Sequence, residues 1–284
     1  MKGYIIEKFN NMNNAYTCRR YAEEASRAGI AMDIIGVYDT YEYDGVLYNK
    51  KRKIEIRDFS IIRFKEGNIN ERLSGLSAKQ YNKIGHVKLF ADKSNQLKHV
   101  CSSHMRIPKH ILSCLDMGFD EIAQRIGVPF VVKGLRGSQG NQVYLVRNLD
   151  EYNELRENYK GVYKEFVFEE YIEESHGRDI RVFSIRGEVI ACMKRASKGG
   201  FKANYALGGS VEPYSADNDI IRIAEDIYKS IPLDYAGIDL LFGRDGYVFS
   251  EVNVSPGIRG IEEASKINIA GRLISFIVED LRNG

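Results

Sequence analysis

The residues richest in chemistry lie near the C-terminal end, in two β-like segments, 237–242 and 247–253, that flank Gly243-Arg244-Asp245-Gly246. A turn centred on Asp245 sets Asp239 and Glu251 opposite one another, with Cβ atoms about 5 Å apart. Side chains alternate along a strand, so Asn253 joins the face of Glu251 and adds a neutral oxygen. Oxygen donors gathered on one face suit a hard divalent cation, Mg²⁺ or Mn²⁺, which can bridge phosphates. Without it the two carboxylates are expected to repel, one of them holding a proton at raised pKa. The alternative is an exposed edge with both acids solvated; the apolar neighbours Leu240, Leu241, Val248 and Phe249 favour the metal.

Lys133 ends the apolar run Pro129-Phe130-Val131-Val132 and precedes a glycine-containing lip, 134–140. An ammonium there, with backbone N–H groups of 137–140, can meet a phosphate chain. Taken alone, a solvated lysine beside a turn explains the same residues. Glu170-Tyr171-Ile172 ends a strand and either offers backbone groups to a flat heterocycle such as adenine or is an ordinary strand end. Asp179 and Arg181 share a strand face, and the spacing predicts a surface ion pair. Arg195, Lys198, Lys202 and Asn204 follow a strand as a cationic loop, suited to a phosphoryl or carboxylate group or simply to water.

The elements that must position these groups change character along the chain. Residues 4–6 read as a strand, 15–28 as a helix closed by Gly29, and 32–37 as a second strand, which together make a βαβ unit. Residues 60–64 continue the sheet and 70–84 read as a further helix. No Gly-x-Gly-x-x-Gly follows the first strand, so this layer is expected to act as scaffold. A helix entered at Asp92-Lys93 runs to His99, and another ends near Gly127. Residues 129–133 and 143–146 form a hairpin around the lip, followed by a helix over 149–159. Beyond Gly161 the pattern is antiparallel: 166–172, then 179–185 and 188–193 joined by Arg186-Gly187, a helix over 220–228, and the acidic hairpin.

Composition narrows the function classes. The 284 residues are 44% hydrophobic and 28% charged with five prolines, the balance of a globular chain long enough for two or three packed units. Forty-one Lys plus Arg against thirty-nine Asp plus Glu leave a net charge of +2, too little for nonspecific nucleic-acid binding despite eighteen tyrosines and the basic cluster 50–52. The four cysteines form no Cys-x-x-Cys pair and read as buried or bystander thiols. No apolar run exceeds the five residues 189–193, and a charge at Glu7 interrupts any signal-peptide core. No membrane partner is expected, and the expected compartment is the cytoplasm.

The order of the motifs carries more than any one of them. Ala91-Asp92-Lys93, Pro129 to Lys133 with Gly137-Ser138-Gln139-Gly140, Glu170-Tyr171-Ile172, Gly177-Arg178-Asp179-Ile180-Arg181, Phe201-Lys202-Ala203-Asn204, Ala236-Gly237-Ile238-Asp239 and Glu251-Val252-Asn253-Val254-Ser255-Pro256-Gly257 span roughly 90–271. In that order they resemble the ATP-grasp superfamily and, within it, the RimK-like family of ribosomal-protein glutamate ligases and related amino-acid ligases.

The resemblance implies an α/β (α+β) ATP-grasp fold: a Rossmann-like α/β unit over 1–87, a central unit with the glycine lip over 88–163, and a unit with the metal hairpin over 164–284, with ATP between the last two. It implies Lys93, Lys133, Ser138, Gln139 and Gly140 on the phosphates, Glu170, Tyr171 and Ile172 at adenine, and Asp179 near the ribose. Arg181, Arg195, Lys202 and Asn204 would stand at the phosphoryl and acceptor end, and Asp239, Glu251 and Asn253 would hold two Mg²⁺ ions.

The activity implied is ATP-dependent joining of a carboxylate to an amine through an acyl phosphate, adding a glutamate-like amino acid to a peptide, protein or small-molecule acceptor. A nucleotide-binding sensor or scaffold without turnover is the competing class. The subunit count is left open, a homo-oligomer included. The chain departs from the family pattern in two motifs. Lys202 and Ala203 stand where Arg and Ser are common, replacing a bidentate guanidinium by a point charge, and Leu207 stands where a basic residue precedes Gly208-Gly209. Both bear on selection of an acidic substrate.

Overall fold

The computed structural model describes residues 1–8, 12–65, 69–137, 142–201 and 208–283. The first layer is a parallel sheet. Strands β1 (Lys2–Glu7), β2 (Ala31–Gly36), β6 (Arg57–Ile62) and β7 (Ser77–Tyr81) lie in the order β2-β1-β6-β7. Helix α1 (Met12–Arg27) makes the crossover between β1 and β2. Gly29 takes φ +73 just past its end, a left-handed backbone that favours glycine.

Between β2 and β6 the chain inserts a small antiparallel sheet of β3 (Thr40–Tyr43), β4 (Val46–Asn49) and β5 (Arg52–Lys53), absent from the sequence reading. The helix expected over 70–84 is overturned. Helix α2 (Ile69–Ser74) ends before Gly75, and β7 follows, pairing with β6. Ladder bonds to β6 and burial of Tyr81 against Phe59 and Phe276 outweigh the helical spacing of the apolar residues. Helix α3 (Ile84–Phe90) comes next.

Helix α4 (Lys93–His99) is capped by Asp92, whose carboxylate accepts from the Ser94 N–H at 3.0 Å. The short strand β8 (Met105–Arg106) follows. The central sheet comprises β9 (His110–Cys114), β10 (Phe130–Gly134), β11 (Val143–Val146) and β12 (Glu165–Glu170), all antiparallel, in the order β11-β10-β12-β9. One face, with Phe130, Val132, Phe166 and Phe168, packs on α5 (Phe119–Ile126) and α6 (Leu149–Glu157) through Ile122, Tyr152 and Leu155. The alternation of β10 and β12 therefore turns Val131, Lys133, Val167 and Glu169 to the other face.

The last sheet, ordered β15-β14-β13-β16-β17-β8, contains β13 (Arg178–Ile185), β14 (Glu188–Ala196), β15 (Ser210–Tyr214), β16 (Tyr235–Gly243) and β17 (Gly246–Asn253). Its even-numbered inner residues, Ile180, Val182, Cys192, Ile238 and Leu240, pack on α7 (Asn218–Ser230) through Ile220, Ile223, Ala224 and Ile227. The opposite face is apolar at one end, where Phe183, Met193 and Tyr235 share a core with α8 (Arg259–Ser265), α9 (Ile269–Asn283) and α1. At its other end that face is charged. Among the described residues, no helix is long and apolar enough to cross a membrane.

Candidate active site

The charged end of the sheet is organised by strand register. Arg181 on β13 pairs with Asp239 on β16, and Asp239 pairs with Glu251 on β17. Asn253 stands opposite Gly237, one step along the same face. The opposition of Asp239 and Glu251 is the one expected, but it arises differently. The turn has two residues, Gly243 facing Gly246, which would put Ser250 opposite Asp239; a β-bulge beside Asp239 and Leu240 shifts the register so that Glu251 takes that place.

The repulsion expected between the carboxylates does not arise, because each has cationic partners. Asp239, 3% exposed, accepts from Arg181 Nε and Nη2, the latter at 2.7 Å, and its Oδ2 lies 2.9 Å from Arg195 Nη2. Glu251 Oε2 lies 3.3 Å from Lys93 Nζ. Burial pushes the Glu251 carboxyl up, but Lys93, Arg181, Lys133 and Lys65 together hold it down at about 2. The expected proton at raised pKa is thereby corrected.

Asp179 and Arg181 do not form the predicted surface pair. Arg195, on the neighbouring strand, donates Nε and Nη2 to Asp179 at 2.6 and 2.7 Å. Burial holds Asp179 above the usual carboxylate range despite that guanidinium. Burial would also lower Arg195, but Asp179 and Asp239 raise it further. Two interlocked Arg–Asp pairs thus form a rigid fork on the sheet. Gly237 leaves room for it: a Cβ there would lie 3.2 Å from Arg181 Cδ and 2.9 Å from Pro256 Cβ.

Lys133 is 8% exposed and bonded to Glu169 Oε2 at 2.6 Å, a diagonal neighbour on β12. Burial pulls its ammonium down, but Glu169, then Glu251 and Asp239, raise it above its ordinary value. The central sheet therefore turns a fixed cation towards the carboxylates of the last sheet, and Lys133 is no solvated strand end. Glu170 accepts from the Lys109 N–H at 2.6 Å and from Arg106, and its own N–H donates to the Lys109 carbonyl at 3.0 Å. The Tyr171 hydroxyl meets His176 Nδ1, and Ile172 is buried with its carbonyl accepting from Ser175 N–H. Ser138, Gln139, Gly140, Lys202, Asn204 and Leu207 lie outside the described residues.

Two residues at the site escaped sequence reasoning. The Gln96 side chain on α4 bonds both the Val252 carbonyl and the Val252 N–H, at 2.8 and 2.7 Å, extending the edge of β17 as a strand would. Lys65, after β6, donates to Asn253 Oδ1 at 3.3 Å. Burial lowers its ammonium to about 8, with Glu251 pulling the other way. A glutamine on a helix face carries no pattern signal, and Lys65 sits 188 positions from its partner. Among the described residues, no group of three or more His, Cys, Asp or Glu side chains could hold a metal ion. The donor set is instead two carboxylates and an amide oxygen. Asp239 has three guanidinium contacts against about four acceptor sites, so a site remains, and these all-oxygen donors fit a hard cation.

The RimK-like ATP-grasp domain family matches residues 83–277. A "probable alpha-L-glutamate ligase" of Methanococcoides burtonii is 31% identical over 284 aligned positions, covering 96% of this chain and 94% of that protein. The protein of the same name from Thioalkalivibrio sulfidiphilus is 38% identical over 164 residues, so the match spans 57% of this chain and about half, 54%, of that relative. The fold is similar to that of D-alanine–D-alanine ligase from Bacillus anthracis in complex with ATP, with TM-score 0.74, 18% identity and coverage of 100% of this chain and 98% of the other. It is also similar to the ATP-grasp ligase PsnB in complex with a minimal precursor, Mg and ADP, with TM-score 0.70, 15% identity and coverage of 99% and 98%. The parallel first layer, the antiparallel central sheet and the largely antiparallel last sheet turned charge to charge, and the matched span lead to one assignment: the chain belongs to the RimK-like ATP-grasp family of ligases.

Proposed function

We propose that this protein joins a carboxylate to an amine at the expense of ATP, through an acyl phosphate, and that the amino acid added is glutamate-like. The observation that carries the reading is the row Arg181, Asp239, Glu251 across the sheet, with Lys93 on Glu251 and Lys133 opposite. Cations fixed by ladders and buried pairs are preorganised for charge that moves between phosphoryl oxygens, and need little rearrangement when it does. In the first step a substrate carboxylate oxygen attacks the γ-phosphorus and the bond to ADP breaks. In the second the amine attacks the acyl carbon, loses a proton, and inorganic phosphate leaves.

Lys93 and Lys133 serve the phosphates in this reading, and Arg181 and Arg195 the transferring end, where Lys202 and Asn204 would join them. Ser138, Gln139 and Gly140 would close over the phosphates and exclude water from the acyl phosphate. Backbone groups of Tyr171 and Ile172 would meet adenine, with Glu170 holding the strand end, and Asp179 would stand towards the ribose. Asp239, Glu251 and Asn253 would hold Mg²⁺, two ions in the fullest form, which supplies charge neutralisation at the phosphoryl oxygens. The division into 1–87, 88–163 and 164–284 goes with this reading only roughly: each span holds most of one of the three large sheets, but β8 joins the last sheet from within the second span and β12 joins the central sheet from within the third. The glutamate-like substrate rests on the relatives' name, and the acceptor class is a peptide, protein or small molecule that offers either an amine or a carboxylate.

The test is chromatography of the spent nucleotide after incubation with ATP, Mg²⁺, glutamate and hydroxylamine. ADP with a hydroxamate is the expected result. AMP with pyrophosphate would overturn the acyl-phosphate route, and tightly bound ATP that is never consumed across amino acids and acceptors would make the chain a nucleotide-binding module.

A further inference from the structure

The clustered cations at the site are not all matched by carboxylates. Lys93 has Glu251, Lys133 has Glu169, Arg181 has Asp239, and Arg195 has Asp179 and Asp239. Lys65 forms no ion pair among the described residues; its ammonium rests on Asn253 Oδ1, beside Glu251. That oxygen has a second donor, the Ser255 N–H at 3.2 Å. A carbonyl-type oxygen has two lone pairs, so both are in use.

The two donors differ in their freedom. Ser255 is tied down: its hydroxyl donates to the Arg63 carbonyl at 3.2 Å, and Arg63 donates to the Pro256 carbonyl at 3.0 Å while paired with Glu7 at 2.9 Å. Lys65 is a flexible stem whose ammonium has one hydrogen bond among the described residues. A divalent cation arriving at Asn253 Oδ1 meets a like charge there, and only the lysine can give way.

We propose that Lys65 is an internal counter-cation, an ammonium lent by the first layer that occupies the metal position of Asn253 in the metal-free protein and is displaced when the ion loads. This rests on the metal reading of Asp239, Glu251 and Asn253 given above. It assigns Lys65 a positioning role: it neutralises the Glu251 end of the row while the site is empty, and it sets how much free metal is needed to fill it. The backbone ties between Arg63, Ser255 and Pro256 do not involve Lys65, so displacement is a side-chain movement and leaves the first layer docked.

The test is Mn²⁺ binding to the full chain without nucleotide, followed by the electron paramagnetic resonance signal of free Mn²⁺. Lys65→Met removes the ammonium, and Lys65→Gln removes the charge while keeping a donor for Asn253. Both are expected to bind Mn²⁺ at least fivefold more tightly than the wild type, and the gain is expected to vanish in Glu251→Gln/Lys65→Met. No gain in either single variant overturns the counter-cation role, as does a gain in Lys65→Met alone, which would indicate packing rather than charge. A gain that persists in the double variant would place the ion elsewhere and overturn the metal reading together with this one. Melting curves confirm that each variant is folded. Glu251→Gln with Mn²⁺ and ADP separates the two failures: weakened binding there, with no gain in the lysine variants, leaves the metal reading standing and removes only this inference.

Discussion

At the scale of single residues, the structure changes what removal of a charge should do. Glu251 looks from the sequence like half of a repelling pair, so its neutralisation ought to be harmless to folding. In the structure it is the anion among Lys93, Arg181, Lys133 and Lys65. Glu251→Gln is therefore expected to lower turnover about 100-fold or more and also to cost about 1–3 kcal/mol of stability in the metal-free protein. Rates of ADP release and melting curves measure the two effects; a wild-type rate at limiting Mg²⁺ would remove Glu251 from the site. Lys133→Ala strands Glu169, which is 3% exposed, and an uncompensated buried charge costs about 3–5 kcal/mol. The double variant Lys133→Met/Glu169→Leu should recover much of that loss in a urea titration while staying inactive. Recovery of activity along with stability would show that Lys133 has only a structural role.

At the scale of elements, the site depends on how closely strands and loops approach. Gly237 lies on β16 beneath Arg181 and Pro256. Gly237→Ala would press a methyl group into both, with an overpacking cost of about 1–3 kcal/mol. Because Arg181 is bonded to Asp239, the displacement should also disturb the carboxylate proposed to hold the metal. The expected signature is a raised metal requirement together with a lowered melting temperature; a variant with unchanged metal dependence would show that the fork tolerates movement. The bulge on β17 belongs to the same scale. A regular ladder from the two-residue turn would have offered Ser250 to Asp239.

At the scale of the molecule, the first layer and the last sheet are latched at Asp280 on α9. Its carboxylate accepts from Tyr81 of β7 at 2.7 Å and from Arg186 of the β13–β14 turn at 2.8 Å, and pairs with Lys79 at 2.7 Å. Burial raises its pKa, but Lys79, Tyr81 and Arg186 bring it down from 3.8 to about 2. A carboxyl depressed on folding stabilises the folded state above its ordinary pKa and loses that contribution as pH falls through the folded value. The latch is thus intact above about pH 4 and released towards pH 2. Asp280→Asn should melt lower at neutral pH, by about 1–2 kcal/mol since the group is not fully buried, and show a shallower loss of stability between pH 3.8 and 2. Parallel acid-unfolding curves for variant and wild type would argue against the latch.

The sequence alone was sufficient for features that depend on neighbours along the chain or across one hairpin. The helix closed by Gly29 and the β10–β11 hairpin are of this kind, because side-chain period and turn residues act locally; the facing of Asp239 and Glu251 was expected too, but it needed a bulge that the turn residues do not announce. The order of motifs that identifies the family was legible as well, since it is a property of the string. What the tertiary structure decided is which charges meet. Asn253 of the hairpin is met by a lysine 188 positions away and Asp239 by an arginine 58 positions away, while Lys93 of a distant helix pairs with Glu251, none of it detectable in any periodicity. It also turned residues 77–81 into a strand, because an open edge of β6 was there to receive them. Local patterns state which face a residue occupies; the partner on that face is set by packing of distant segments, and electrostatic character follows the partner.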